Sequence, residues 1–430
     1  MNRNFLMLRS VAFAFVTKLS GGATVFISLP IISHGLSPSD YASFLTTINI
    51  TATAGLLFYS FGVLYVREIA HAFAKGDPHL ITAAIRNTFG SHVTLWSTVT
   101  LCLAIGVLAA RNVIFLNNSI LIGIALNSIQ CAAGWAGIYR AANRSDHVSS
   151  IVQTVSNIAM VSCLYILSRN GGLSSASAAL AFFGIPAAGD VIIFLQLVIS
   201  KRLNLRIDRD AIPAFVARIP ECITLSLSPL ADYIKFYGSS MLVLLMSNSY
   251  NYILFSASMV LMSRLVSPVT LITRPMMPAF IDALHREDMR WLDGLKKALL
   301  GAAALGTAIA GIAPFFVSQQ ILAAIFPKEV HDIPTIYLIF CSYFAFTYAL
   351  IALLAPLYIG AHRASFFGMS NLGFTLAGAA IGALLCLKFD ASAMMGSLAV
   401  MMAICSLFLL ASIDWARDSH ALKKREGRLV

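Results

Sequence analysis

Charge is what this sequence has least of. Only 11% of its 430 residues are charged while 58% are hydrophobic, and mean hydropathy is +0.81, whereas soluble domains carry about 25% charged residues. That imbalance excludes an ordinary soluble protein and implies a chain that crosses a membrane many times. Acids are scarcer than bases, 19 against 30, leaving a net charge of +11. In a soluble protein the excess would suggest nucleic acid. Here the bases fall mainly in short loops between apolar runs, which is a topology signal, and no nucleic-acid partner is expected. The seven cysteines (Cys102, Cys131, Cys163, Cys222, Cys341, Cys386, Cys405) stand singly in apolar segments. Such scatter has neither metal-ligand spacing nor a disulfide framework, so no metal and no cofactor is expected. There is no Walker-type phosphate loop, which argues against direct ATP drive by this chain. No short apolar core precedes a small-residue cleavage site, and the first apolar run is expected to be a retained span.

What is present is a succession of runs long enough to span. A hydrocarbon layer of about 30 Å needs about 20 apolar residues, and twelve runs qualify, near 10–35, 41–66, 87–110, 118–139, 148–168, 175–200, 220–246, 251–273, 298–325, 334–359, 364–387 and 391–415. The expected fold class is therefore an all-α polytopic membrane protein. Of the 30 Lys and Arg, 23 lie at the N-terminus, in every second loop and in the C-terminal tail; four (Arg111, Arg169, Lys328, Lys388) lie opposite. Positive residues stay inside, so both termini are expected in the cytoplasm. Reporter fusions at Asn117 and Pro334 should read external and those after Arg206 and Lys424 internal. Reversal at any two of these sites would overturn the topology.

The halves repeat. An offset of 211 pairs Tyr41 with Tyr252, Ala72 with Ala283, Asp77 with Asp288 and Gly90 with Gly301, and an offset of 219 pairs Tyr139 with Tyr358 and Arg144 with Arg363. Two six-helix repeats follow, expected as lobes 1–205 and 206–430. Six is even, so the repeats are parallel and relate by an axis along the membrane normal.

Three basic residues fall inside spans: Lys18 in the first, Lys235 in the seventh and Arg264 in the eighth. Asp232 lies three residues before Lys235 on one helix face; at about 1.5 Å per residue the two sit roughly 18 and 22 Å beyond Pro220, deep in the hydrocarbon. Charge at that depth faces a bundle interior or a water-filled cavity. Two readings stay open for the pair: a mutually neutralising contact that packs helices, or a substrate-facing group. Asp190, in GIPAAGDVIIFLQL, is read as a proton-coupling carboxylate or a hydrogen-bonded structural acid. Gln130, Asn127, Gln153, Asn157 and Gln196 are assigned to interhelical hydrogen bonds, and His92 to a span end at the interface.

Twelve spans in two parallel halves, the turn LSPSDYASF with Gly35, Leu36, Pro38 and Tyr41, the intramembrane Asp232, and Pro275 and Pro278 at the end of the eighth span resemble the polysaccharide transport family. These are Wzx-type O-antigen and exopolysaccharide flippases of the MATE-like multidrug, oligosaccharidyl-lipid and polysaccharide exporter superfamily. The sequence departs from that pattern at Ala42, where Gly is common. The resemblance implies a MATE-like fold whose first, second, seventh and eighth helices line a central cavity. It also implies a bacterial inner-membrane location, and undecaprenyl-pyrophosphate-linked oligosaccharide as cargo. Lys18, Lys235 and Arg264 would meet the pyrophosphate, Arg by a bidentate fork, and Asp232 or Asp190 would couple an ion. Membrane lipid, a polysaccharide polymerase and glycosyltransferases are the expected partners. A cation-coupled multidrug antiporter is the nearest alternative. A membrane glycosyltransferase or polymerase is the alternative from another class. An enzyme of that kind needs acid or base groups positioned at the outer face, and the loops here are short and poor in acids.

Overall fold

In the computed structural model the described residues are 20–75, 77–109, 118–142, 146–201, 205, 211–266, 269, 280, 283, 288–312, 333–361 and 363–413. Every secondary-structure element among them is helical. In chain order these are α1 (20–35), α2 (Pro38–Lys75), α3 (Pro78–Ala109), α4 (Asn118–Ala133), α5 (Trp135–Ala142), α6 (Asp146–Arg169) and α7 (Ser175–Ala179), which runs through a π-turn at Leu180–Gly184 into α8 (Ile185–Lys201). There follow α9 (Ala211–Tyr233), a π-turn at Ile234–Gly238, α10 (Ser239–Met246), α11 (Ser249–Val266), α12 (Met289–Ile312), α13 (Thr335–Gly360), α14 (Ala364–Cys386) and α15 (Ala391–Ala411). The chain is a polytopic all-α membrane protein: among the described residues seven helices are long and apolar enough to cross. Large side chains such as Ile158, Ile199, Leu384 and Leu407 are exposed on them, a surface suited to lipid.

Residues divide into two compact units, Met1–Pro229 and Leu230–Val430. Positions paired by the offset of 211 cap helices in both. Ser37 Oγ accepts from the Asp40 amide (3.2 Å), and 211 residues on Asn248 Oδ1 accepts from the Asn251 amide (2.8 Å). Asp77 caps α3 through the His79 amide (2.8 Å), and Asp288 caps α12 through the Trp291 amide (3.1 Å). Each cap satisfies one of the amides that a helix start leaves without an intrahelical acceptor. Tyr41 and Tyr252, also paired, are both fully buried.

In the first unit the core gathers Phe61, Tyr65, Trp135, Tyr139, Ile193 and Leu197. α2 runs to Lys75, past the expected span end at residue 66, because no proline interrupts it before Pro78. Its 38 residues extend about 57 Å at 1.5 Å each, well beyond the hydrocarbon layer. In the second unit α14 and α15 approach closely. Gly378 and Gly382 lie one turn apart on α14, and a Cβ at Gly382 would stand 3.1 Å from the Met394 Cα and 2.5 Å from its Sδ. Ser397 Oγ donates across the seam to the Gly378 carbonyl (2.9 Å). Such spacing of small residues lets membrane helices meet backbone to backbone.

Candidate substrate site

The second unit holds a buried cation. α9 carries Pro220 and Pro229 in its interior; Pro229 has no amide to give and loosens the turn before it. Five residues later the helix widens into the π-turn Ile234–Gly238, where the Ile234 carbonyl accepts both the Ser239 amide and the Ser239 hydroxyl (2.8 Å). Single π-turns within α-helices cluster at functional positions because the extra residue re-aims side chains.

Lys235 sits in this turn with 0% of its surface exposed. Its Nζ donates to Asp232 Oδ1 and to Asn371 Oδ1 of α14, each at 2.9 Å, and stands 5.0 Å from the centre of the Tyr348 ring of α13. Each contact is itself braced. Asn371 is buried, and its carbonyl accepts from Thr375 Oγ1 (2.6 Å). The Tyr348 ring meets Phe236 edge-on at 4.8 Å and lies parallel to Phe344 at 6.3 Å. An ammonium withdrawn from water needs a counter-charge and filled donor positions, or the helix would not tolerate it; a ring face adds about 2 kcal/mol when desolvated. Asp232 differs from its partner: 37% of its side chain is exposed. Among the described residues its Oδ2 accepts no hydrogen bond.

Asp190 lies in the first unit, on α8 after Pro186 and Gly189. Gly189 has no room for a Cβ against Ser156 of α6, which holds the two helices close. The Asp190 carboxylate is partly buried and accepts from the Gln130 side chain of α4. Close by in α4, the Cys131 carbonyl contacts His92 Nε2 at 2.9 Å. His92 is therefore interior, contrary to the expectation of an interfacial position, and its ring lies 6.0 Å from both Tyr65 and Trp96. The polar residues of the spans do bond between helices. Asn127 donates to the Thr51 carbonyl (3.3 Å), Asn157 to Ser20 Oγ (3.4 Å), and Gln196 accepts from Arg140 (2.9 Å).

Of the expected site residues, the structure joins Asp232 to Lys235 and places Asp190 in the other unit. Arg264 belongs to the last turn of α11, while its side chain and all of Lys18 lie outside the described residues. Sequence reasoning missed Asn371 and Tyr348. Asn371 had a signal, being an amide in an apolar span, but nothing in its spacing tied it to a lysine 136 residues earlier.

No protein-family model matches this sequence, and no curated protein is significantly similar to it. Solved structures share its fold. An inward-facing multidrug resistance MATE family transporter of the MOP superfamily aligns with TM-score 0.65 and 13% identity, over 94% of this chain and 96% of that one. Lipid II flippase MurJ, in an inward closed conformation, aligns with TM-score 0.67 and 14% identity, over 95% of this chain and 90% of that one. The eukaryotic MATE transporter AtDTX14 aligns with TM-score 0.56 and 14% identity, over 98% and 99%.

Proposed function

We propose that this protein is a membrane transporter, not an enzyme, and that it flips an undecaprenyl-pyrophosphate-linked oligosaccharide from the cytoplasmic to the external leaflet of a bacterial inner membrane. The cargo would feed O-antigen, capsule or exopolysaccharide synthesis, with the polymerase and glycosyltransferases of that synthesis as neighbours. The observation that carries this reading is the set of three cations that stand in membrane-length apolar runs of the sequence, Lys18, Lys235 and Arg264, in a chain whose fold is shared with a lipid II flippase. A pyrophosphate drawn out of water needs cationic partners, since an unpaired buried charge costs several kcal/mol even after relaxation.

The contacts of Lys235 support a division of labour among the three. Lys235 is engaged by Asp232 and Asn371, so direct phosphate contact falls to Lys18 and Arg264, and Lys235 acts through Asp232. Asp190, whose carboxylate is met by an amide, is the better of the two acids for coupling to a proton or sodium ion.

The test is glycan display in cells carrying Lys18→Ala with Arg264→Ala, scored beside the amount of protein in the membrane. Surface polysaccharide should fall at least tenfold at normal protein level, and Arg264→Lys should restore only part of the Arg264→Ala loss because an ammonium lacks the guanidinium fork. Normal display from a well-expressed double variant would refute the cationic path. If deletion of the gene spares the glycan and raises sensitivity to cationic drugs, the antiporter reading replaces this one.

A further inference from the structure

Beside the buried lysine lies a surface that the phosphate-binding reading leaves unused. Asp232, Tyr233 and Tyr237 are all partly exposed, while Lys235 and Phe236, on the same stretch, are buried. The Tyr233 and Tyr237 rings lie 6.0 Å apart and are inclined by 31°. An α-helical turn would stack position 236 over 232; the π-turn, with its bond from Ser239 back to Ile234, inserts one residue and brings position 237 round toward 232 and 233. The result is a carboxylate beside two amphipathic rings. A charged acid within a span faces water or protein rather than lipid, and the part of Asp232 that Lys235 leaves exposed is open to a polar ligand.

Charge decides what suits it. A carboxylate beside aromatic faces ordinarily attracts organic cations, but here the ammonium 2.9 Å from Oδ1 cancels the carboxylate's charge. What remains is a neutral pair with one acceptor, Oδ2, that takes no hydrogen bond among the described residues, on the same stretch of helix as the two rings. That chemistry fits a polyhydroxylated ring, whose hydroxyl donates to the carboxylate and whose C–H face packs on tyrosine. We propose that Asp232, Tyr233 and Tyr237 form a subsite for a neutral pyranose of the cargo, with Lys235 as the positioning residue that fixes the carboxylate through Oδ1. The proposal rests on the flippase reading and adds to it a place where the sugar, rather than the pyrophosphate, is sensed. Ring faces read the shape common to pyranoses, so a single simple sugar is an adequate probe.

The experiment uses the full chain in lipid nanodiscs and two soluble probes, farnesyl pyrophosphate bearing one N-acetylglucosamine and bare farnesyl pyrophosphate. The native protein should bind the sugar-bearing probe about tenfold more tightly, a difference of roughly 1.4 kcal/mol. Tyr233→Ala with Tyr237→Ala should abolish that preference and leave the bare probe unchanged, which also shows that the variant is folded. Tyr233→Phe with Tyr237→Phe should keep the preference, because the rings remain. Equal binding of both probes to the native protein, or equal weakening of both in the alanine pair, overturns the subsite while the flippase reading stands. Binding of neither probe overturns both. A tetraphenylphosphonium affinity that falls in the alanine pair, with no sugar preference in the native protein, identifies an organic-cation site instead.

Discussion

Asp232→Asn alone should destabilise the purified protein by about 3 kcal/mol, and adding Lys235→Met should restore most of the loss. The single change leaves the fully buried Lys235 ammonium with two amide oxygens, at positions 232 and 371, and no counter-charge. The double change removes both charges and puts an apolar stem of similar length against the Tyr348 ring. Lys235→Met by itself should cost less than Asp232→Asn, since the Asp232 side chain is partly exposed and water can take up its charge. Thermal midpoints of the three variants in one detergent give the ordering. An Asp232→Asn protein as stable as the native one, or a double variant no better than it, would mean that the ammonium is not held by its carboxylate.

Gly382→Leu should abolish accumulation of folded protein, whereas Gly373→Leu on the same helix should be tolerated. A side chain at Gly382 meets Ser397 and the Met394 backbone of α15, and a backbone cannot step aside as a flexible side chain can; at Gly373 nothing lies within 4 Å of the added carbon. Overpacking a fitted seam costs about 1–3 kcal/mol, and more where the helix must move. Fluorescence-detected gel filtration of tagged protein separates the outcomes. A monodisperse peak of normal height for Gly382→Leu would show that α14 and α15 have room to part.

The helical plan was legible because its cause is local. An apolar run of membrane length has few alternatives to a helix, but the polar caps at Asp77 and Asp288 start α3 and α12 ahead of the apolar runs read near 87 and 298. What escaped detection depended on partners distant in the chain. The charge at Lys235 was visible as a deep cation beside Asp232, but the amide of Asn371 and the ring of Tyr348 that complete its surroundings are a property of three helices packed together. The π-turns at Leu180–Gly184 and Ile234–Gly238 left no mark in hydropathy, since a single inserted residue changes direction and not composition. His92 was misplaced for the same reason: its burial comes from the Cys131 carbonyl across the unit, not from its position along α3.

The paired caps at Ser37 and Asn248, and at Asp77 and Asp288, also bear on how the chain is made. Each half carries its own punctuation, written in residues that act within one turn of where they stand. A ribosome delivering this polypeptide therefore supplies complete instructions for the early helices before any residue of the later half exists. Domains of larger proteins generally fold as units in order of synthesis, and a chain whose helix starts are set this locally can commit its early helices to the bilayer while the later ones are still being translated.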